Sequence, residues 1–199
     1  KDALTTKIVG VSLSYGRDNG FYLSFNPETG KLVKLLFENT TINKIGYDLK
    51  FAIKVLGREG IKVLGTLFDV QIAHYLLHPD MRHALDIISD NYLNKVMIEG
   101  QSLIGKGKTK VAFSSLKPEL ITNFASEQSS AIFNLSSIFE KEMKEIGVWD
   151  LFKDIEIPLS IVLAKMENEG IALDVEMLNT YSIELTNELA LQTQKIHEL

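Results

Sequence analysis

The sequence predicts an α/β fold, a mixed sheet flanked by helices and followed by an all-helical segment. Three observations predict it. Strand-like runs and turn formers fill the chain up to Asp69, including one early hairpin. Beyond Val70 apolar residues recur every three or four positions, the helical period. At Gly46 a short apolar strand hands over directly to a helix, as in layered α/β domains.

Taken in order, Lys7–Tyr15 alternates well enough for a strand, and 20–25, GFYLSF, forms its partner across the turn GRDNG. Asn26, Pro27 and Gly30 break the chain before a helix over Lys31–Phe37. KIGYDLKFAIKVL, 44–56, carries the handover: the strand through Ile42 and Ile45 turns at Gly46, and the helix behind it bears a stripe of Leu49, Ala52, Ile53 and Leu56. In open α/β sheets ligands bind where strands end and helices begin, so chemistry is expected here. IKVLGTLFD supplies another strand, helices follow at Val70–Leu77 and Leu85–Leu93, and 95–116 reads as loop. Pro118 sits in the first turn of a long helix reaching Ile146, a position that suits a residue without an N–H. Its inward positions are Ile121, Phe124, Gln128, Ile132, Leu135 and Phe139. One helix is expected over Trp149–Glu169 with Pro158 in or near it and Gly170 as its C-cap. Asp174 N-caps a final helix striped by Leu178, Tyr181, Leu185, Leu189, Ile196 and Leu199. The change to an all-helical pattern places a domain boundary near 148, giving domains 1–147 and 148–199. Both termini read as cut, as if the chain were part of a longer one.

Composition narrows the function. The 199 residues are 45% hydrophobic and 24% charged, ordinary for a globular protein. Without a cysteine there is no disulfide, thiolate zinc site or cysteine nucleophile. No run is long enough to span a membrane, and the start is not a signal peptide, so a cytoplasmic location and no membrane partner are expected. A net charge of −5 argues against tight phosphate binding by this piece alone.

Several motifs invite chemistry. GKGKTK, 105–110, lacks phosphate-loop spacing, and its Lys106 and Lys108 are candidates for touching a DNA backbone, set against a plain solvated loop. His74, His78 and His83 are better read as helix-end and core histidines than as a metal site, because a zinc helix motif needs Glu where Tyr75 stands. Asp69, Asp80, Asp86 and Asp90 read as helix caps and solvated faces. Gln128, polar within an apolar stripe, reads as a buried amide bonded to backbone or to Ser129 and Ser130, or as the relic of a metal-binding position.

Five stretches carry a resemblance. They are 44–86, IGKGK, ELITNFASEQSSAIFNL, IEIPLSIVLAKMENEGIALD and the closing helix ending QKIHEL. Together they resemble the proofreading 3'-5' exonuclease domain of the bacterial family A DNA polymerases, running into the first thumb helix of the polymerase domain. The resemblance implies a ribonuclease H-like fold. It also implies two divalent metals held by four carboxylates, which activate a water and stabilise the leaving oxygen.

Carried over residue by residue, the first carboxylate pair would fall upstream of Lys1. The second-motif Asp would fall on Ala52, which offers a metal nothing. The third-motif Asp would fall on Gln128, a neutral amide and a poor ligand for a hard cation. The third-motif Tyr would fall on Phe124, which keeps the ring and loses the hydroxyl. Asp48 lies at a neighbouring position that the family uses for substrate contact. The resemblance thus implies a degenerate exonuclease domain with a structural role, no catalytic residue and no cofactor of its own. Its parent is expected to be a monomeric DNA-directed DNA polymerase, a nucleotidyltransferase of replication and repair that uses Mg²⁺ and binds DNA. Two alternatives stand beside it: an active exonuclease with a rearranged two-metal site that uses Asp48, and a free-standing DNA-binding module.

Overall fold

The computed structural model describes residues 2–17, 19–105, 107 and 110–198. The hairpin forms β1 (Gly10–Gly16) and β2 (Asn19–Ser24), antiparallel with Val11 opposite Leu23 and Leu13 opposite Phe21. β1 begins later than the alternation suggests, although the Phe25 amide still donates to the Val9 carbonyl just before it at 2.9 Å. Next comes α1 (Pro27–Glu38), which starts earlier than expected. Asn26 accepts from the Glu28 and Thr29 amides while the Thr29 hydroxyl accepts from the Asn26 amide, a reciprocal cap that turns three apparent breakers into a helix start.

The handover is present as read: β3 (Lys44–Gly46) is followed by α2 (Leu49–Arg58). β4 (Leu67–Asp69) pairs with β3 in parallel and leads straight into α3 (Val70–Leu77). The two polarities of a mixed sheet are therefore both present, carried by two separate two-stranded ladders, β1–β2 and β3–β4. α4 (Leu85–Leu93) follows. The stretch expected to be loop contains a short helix, α5 (Gly100–Ile104), and a single tight turn at Phe113–Ser115.

The 28-residue α6 (Pro118–Glu145) organises the domain, packing across β1, β2 and β3 and against α3 and α4. Ile121, Leu135 and Phe139 are buried as the stripe requires, and Phe124, Gln128 and Ile132 are half-buried. One core gathers Phe68, Val70, Ile88, Leu135, Phe139 and Met143; a smaller one joins Val33, Leu56 and Ile61 between α1 and α2. The expected single helix over 149–169 is instead α7 (Trp149–Leu151), a widened turn at Phe152–Glu156, and α8 (Ile157–Glu169). Pro158 is the cause: it has no N–H for the preceding turn, and the chain accommodates it by letting the Ile157 amide reach back to the Phe152 carbonyl.

The chain divides into two compact units, Lys1–Asn168 and Glu169–Leu199. In the first, residues 148–168 share the main core through Phe152, whose ring lies 4.9 Å from Phe68, and through Ile157. In the second, Asp174 accepts from the Met177 amide at 2.9 Å and caps α9 (Val175–His197). No helix is long and apolar enough to cross a membrane among the described residues.

Candidate functional site

The site is built at the β3–α2 handover. Asp48 occupies the left-handed region at φ 54 and ψ 55, a conformation costly for a residue with a Cβ, and its carboxylate accepts from the Phe51 amide at 3.2 Å. This turn redirects the chain from strand to helix. Gln71 reaches the hydroxyl of Tyr47 at 3.2 Å, and that hydroxyl donates to the His83 carbonyl at 2.8 Å, fixing the ring between α3 and the loop before α4. Burial, followed by the nearby Asp48, Asp69 and Asp86 carboxylates, pushes the Tyr47 phenol above its ordinary value.

Asp69 is the buried carboxylate of the site, 2% exposed. It accepts from the Leu49 amide at 2.6 Å, the Gln71 amide at 2.8 Å and the Ile72 amide at 3.4 Å, so it caps α3 and holds the start of α2 at once. Burial raises its pKa while these amides lower it, and the net direction is up. The expectation of a cap holds for Asp69, but it is buried rather than solvated. Lys44, also buried, turns its ammonium to the carbonyls of Asn39 and of Leu64, the latter at 2.6 Å; burial lowers its pKa.

The sequence-predicted positions do not all line one cleft. Ala52 lines a cleft of about 810 Å³ together with Ser129, Ile132 and Phe133 of α6. Phe124 lies further along α6, its ring 5.6 Å from Phe113 and tilted edge-on to it. Gln128 is half-buried, and neither it nor Asp48 belongs to the lining of the cleft. Lys106 and Lys108 lie outside the described residues.

The histidines that the sequence groups also lie together in the fold. His74 is fully buried, with Nδ1 2.7 Å from Nδ1 of His83, and His78 Nε2 lies 2.6 Å from the Tyr92 hydroxyl. Tyr92 stands edge-on to Phe139 at 4.8 Å, tying the cluster to the main core. Desolvation, then the neighbouring His83 and His78, drive the His74 pKa down to about 4. Burial, then Glu142, pushes the Tyr92 hydroxyl up to about 12. The reading of these residues as core and helix-end histidines agrees with His74 in the core and His78 closing α3.

With this geometry in view, similarity to known proteins becomes decisive. The profile of the 3'-5' exonuclease family of A-type DNA polymerases matches residues 4–144. The chain belongs to that family. It is 32% identical over 188 residues to DNA polymerase I of Borreliella burgdorferi, covering 89% of this chain and 20% of the relative. It is 27% identical over 163 residues to DNA polymerase I of Bacillus subtilis, covering 81% and 18%. In fold it matches the POL domain of Pol1 from M. smegmatis, solved in complex with DNA primer-template and dNTP. That match has a TM-score of 0.70 at 22% identity, covering 84% of this chain and 27% of the other. The chain thus spans about a fifth of the length of these curated relatives. The ribonuclease H-like exonuclease fold is the one expected, and the family match encloses Asp48, Ala52, Phe124 and Gln128.

Proposed function

We propose that this chain is a degenerate 3'-5' exonuclease domain, 1–147, joined to the helical start of a polymerase domain, 148–199, within a DNA polymerase I. Its role is to brace the polymerase module rather than to excise nucleotides. The observation that carries the reading is the donor set. A two-metal site needs several carboxylates free to meet hard cations. Ala52 supplies no donor and Gln128 only a neutral amide. The one carboxylate buried among the described residues, Asp69, already accepts from three backbone amides. These residues do not fit a pair of Mg²⁺ ions. Mg²⁺, DNA contact, nucleotidyl transfer, a monomeric state and a cytoplasmic location belong, on this reading, to the parent polymerase. Any backbone contact with DNA by this chain would come from Lys106 and Lys108.

One observation favours a second reading, an active exonuclease with a rearranged site. Asp48 holds a strained left-handed backbone at the strand–helix handover, and such strain concentrates where side chains are aimed for function. An excision assay on labelled single-stranded DNA with Mg²⁺ and Mn²⁺ separates the two. The degenerate reading expects no shortening of the strand. Excision abolished by Asp48→Ala would replace it with the second.

A further inference from the structure

α8 meets the rest of its compact unit along a stripe that ends on a charge. Ile157, Ser160 and Ala164, spaced three and four apart, are its buried residues, and Glu167 continues the same face one turn later. Beyond Ala164 the helix buries nothing, and Met166 is exposed. The last turn is fastened instead to α2. Lys50 and Lys54, four residues apart on one face of that helix, each donate to a different oxygen of the Glu167 carboxylate, both at 2.7 Å. Among the described residues these are the only side-chain hydrogen bonds between α8 and another element. α2 is a firm mount for them, since its Leu49, Val55 and Leu56 are buried. A single exposed ion pair contributes little, because ordering two long side chains offsets most of the attraction. Here one carboxylate serves two ammoniums, and the side chain of Lys54 is only 12% exposed, already ordered by its surroundings. The hydrogen bonds from Lys50 and Lys54 hold the Glu167 carboxyl well below the ordinary carboxylate range, at about 2.

We infer that Glu167 is an electrostatic clasp that fixes the last turn of α8 on α2 and thereby sets the joint between the two compact units at Gly170. The first unit ends at Asn168, one residue after the clasp. Gly170 follows with φ 73, the left-handed conformation that closes a helix, and a Cβ there would meet nothing within 4 Å. Packing alone would end at Ala164, so without the clasp the joint slides back along α8 by more than one turn. The clasp also ties the helix that begins at the Asp48 turn to the helix that leads out of the unit, across 113 and 117 residues of sequence. Its use as the fastening of a brace rests on the bracing role proposed above. The clasp itself does not, because a domain that excised nucleotides would carry it equally.

Amide hydrogen exchange of the 199-residue chain tests it, read at 165–169 against 157–161 and α6. Replacing both lysines by methionine keeps their apolar stems and helix-forming tendency, and it leaves the sequence of α8 untouched. Expected in Lys50→Met/Lys54→Met, and in Glu167→Gln, is exchange about fivefold faster at 165–169, with 157–161 and α6 unchanged. Raising salt from about 0.05 to about 0.5 M should quicken the same amides in the wild type and leave them unaltered in either variant. Lys50→Glu/Lys54→Glu should lose the slow exchange, and adding Glu167→Lys should restore it by reversing the clasp. Unchanged exchange at 165–169 in the methionine variant would overturn the inference, as would a charge-reversed chain no better protected than its double-glutamate parent. Faster exchange throughout α8 and α6 would overturn it as well, by making the lysines part of the general core.

Discussion

His74 makes a quantitative prediction about acid. In the folded chain its imidazole is buried against His83, His78, Tyr92 and Phe139, and its pKa stands at about 4 against an ordinary 6.5. The unfolded chain takes up a proton between these values that the folded chain refuses. Stability contributed by neutral His74 is therefore complete above pH 6.5, falls as pH drops toward 4, and levels off below it. At 1.36 kcal/mol per pH unit the loss across this window is about 3 kcal/mol, a substantial part of a typical domain's 5–15. Asp69 works in the opposite sense. With its pKa raised, its contribution is largest below 3.8 and declines as pH rises through its folded value, so it offsets part of the loss at the acid end. Comparison with His74→Phe isolates the histidine term, since the ring volume is kept and the titration removed. Urea unfolding at a series of pH values from 7 to 4 should show the wild type losing about 3 kcal/mol more than the variant. Parallel curves for the two proteins would refute the assignment of a buried neutral imidazole.

Two further substitutions probe the scaffold. Asp69→Ala leaves the Leu49, Gln71 and Ile72 amides without their carboxylate and should cost about 2–4 kcal/mol in urea unfolding. Asp69→Asn, which keeps an acceptor, should cost less. Gly20→Ala drives a methyl into the Ser126 carbonyl on α6, so the hairpin must lift from the helix. A destabilisation of about 1–3 kcal/mol is expected, whereas Gly16→Ala, with only the Asn19 side chain at 3.5 Å, should be tolerated.

Much of this architecture was legible because it rests on periodicity. The α6 stripe and the apolar face of α2 declare their period: Ile121, Leu135, Phe139, Leu49 and Leu56 are buried, while Phe124, Gln128, Ile132, Ala52 and Ile53 are half-buried. Where local signals have two meanings the sequence misled. Asn26, Pro27 and Gly30 read as breakers, yet Asn26 caps and Pro27 opens a helix that contains Gly30. Pro158 usually ends a helix, but at the second position of α8 it is absorbed by a widened turn before it. The site was less legible because its decisive contacts are nonlocal. Asp69 meets the Leu49 amide twenty residues away in sequence, and no spacing rule links His74 to His83 or tells that Lys44 is buried. The separation of Phe124 from the cleft beside Ala52 likewise depends on how α6 crosses the strands.

The most direct test of the central claim is excision by the parent polymerase, assayed on labelled single-stranded DNA with Mg²⁺ or Mn²⁺ beside a primer-extension reaction. The account predicts extension of the primer with no shortening of the single strand. Shortening that Asp48→Ala abolishes would contradict it and would mean that the domain retains a working ligand set.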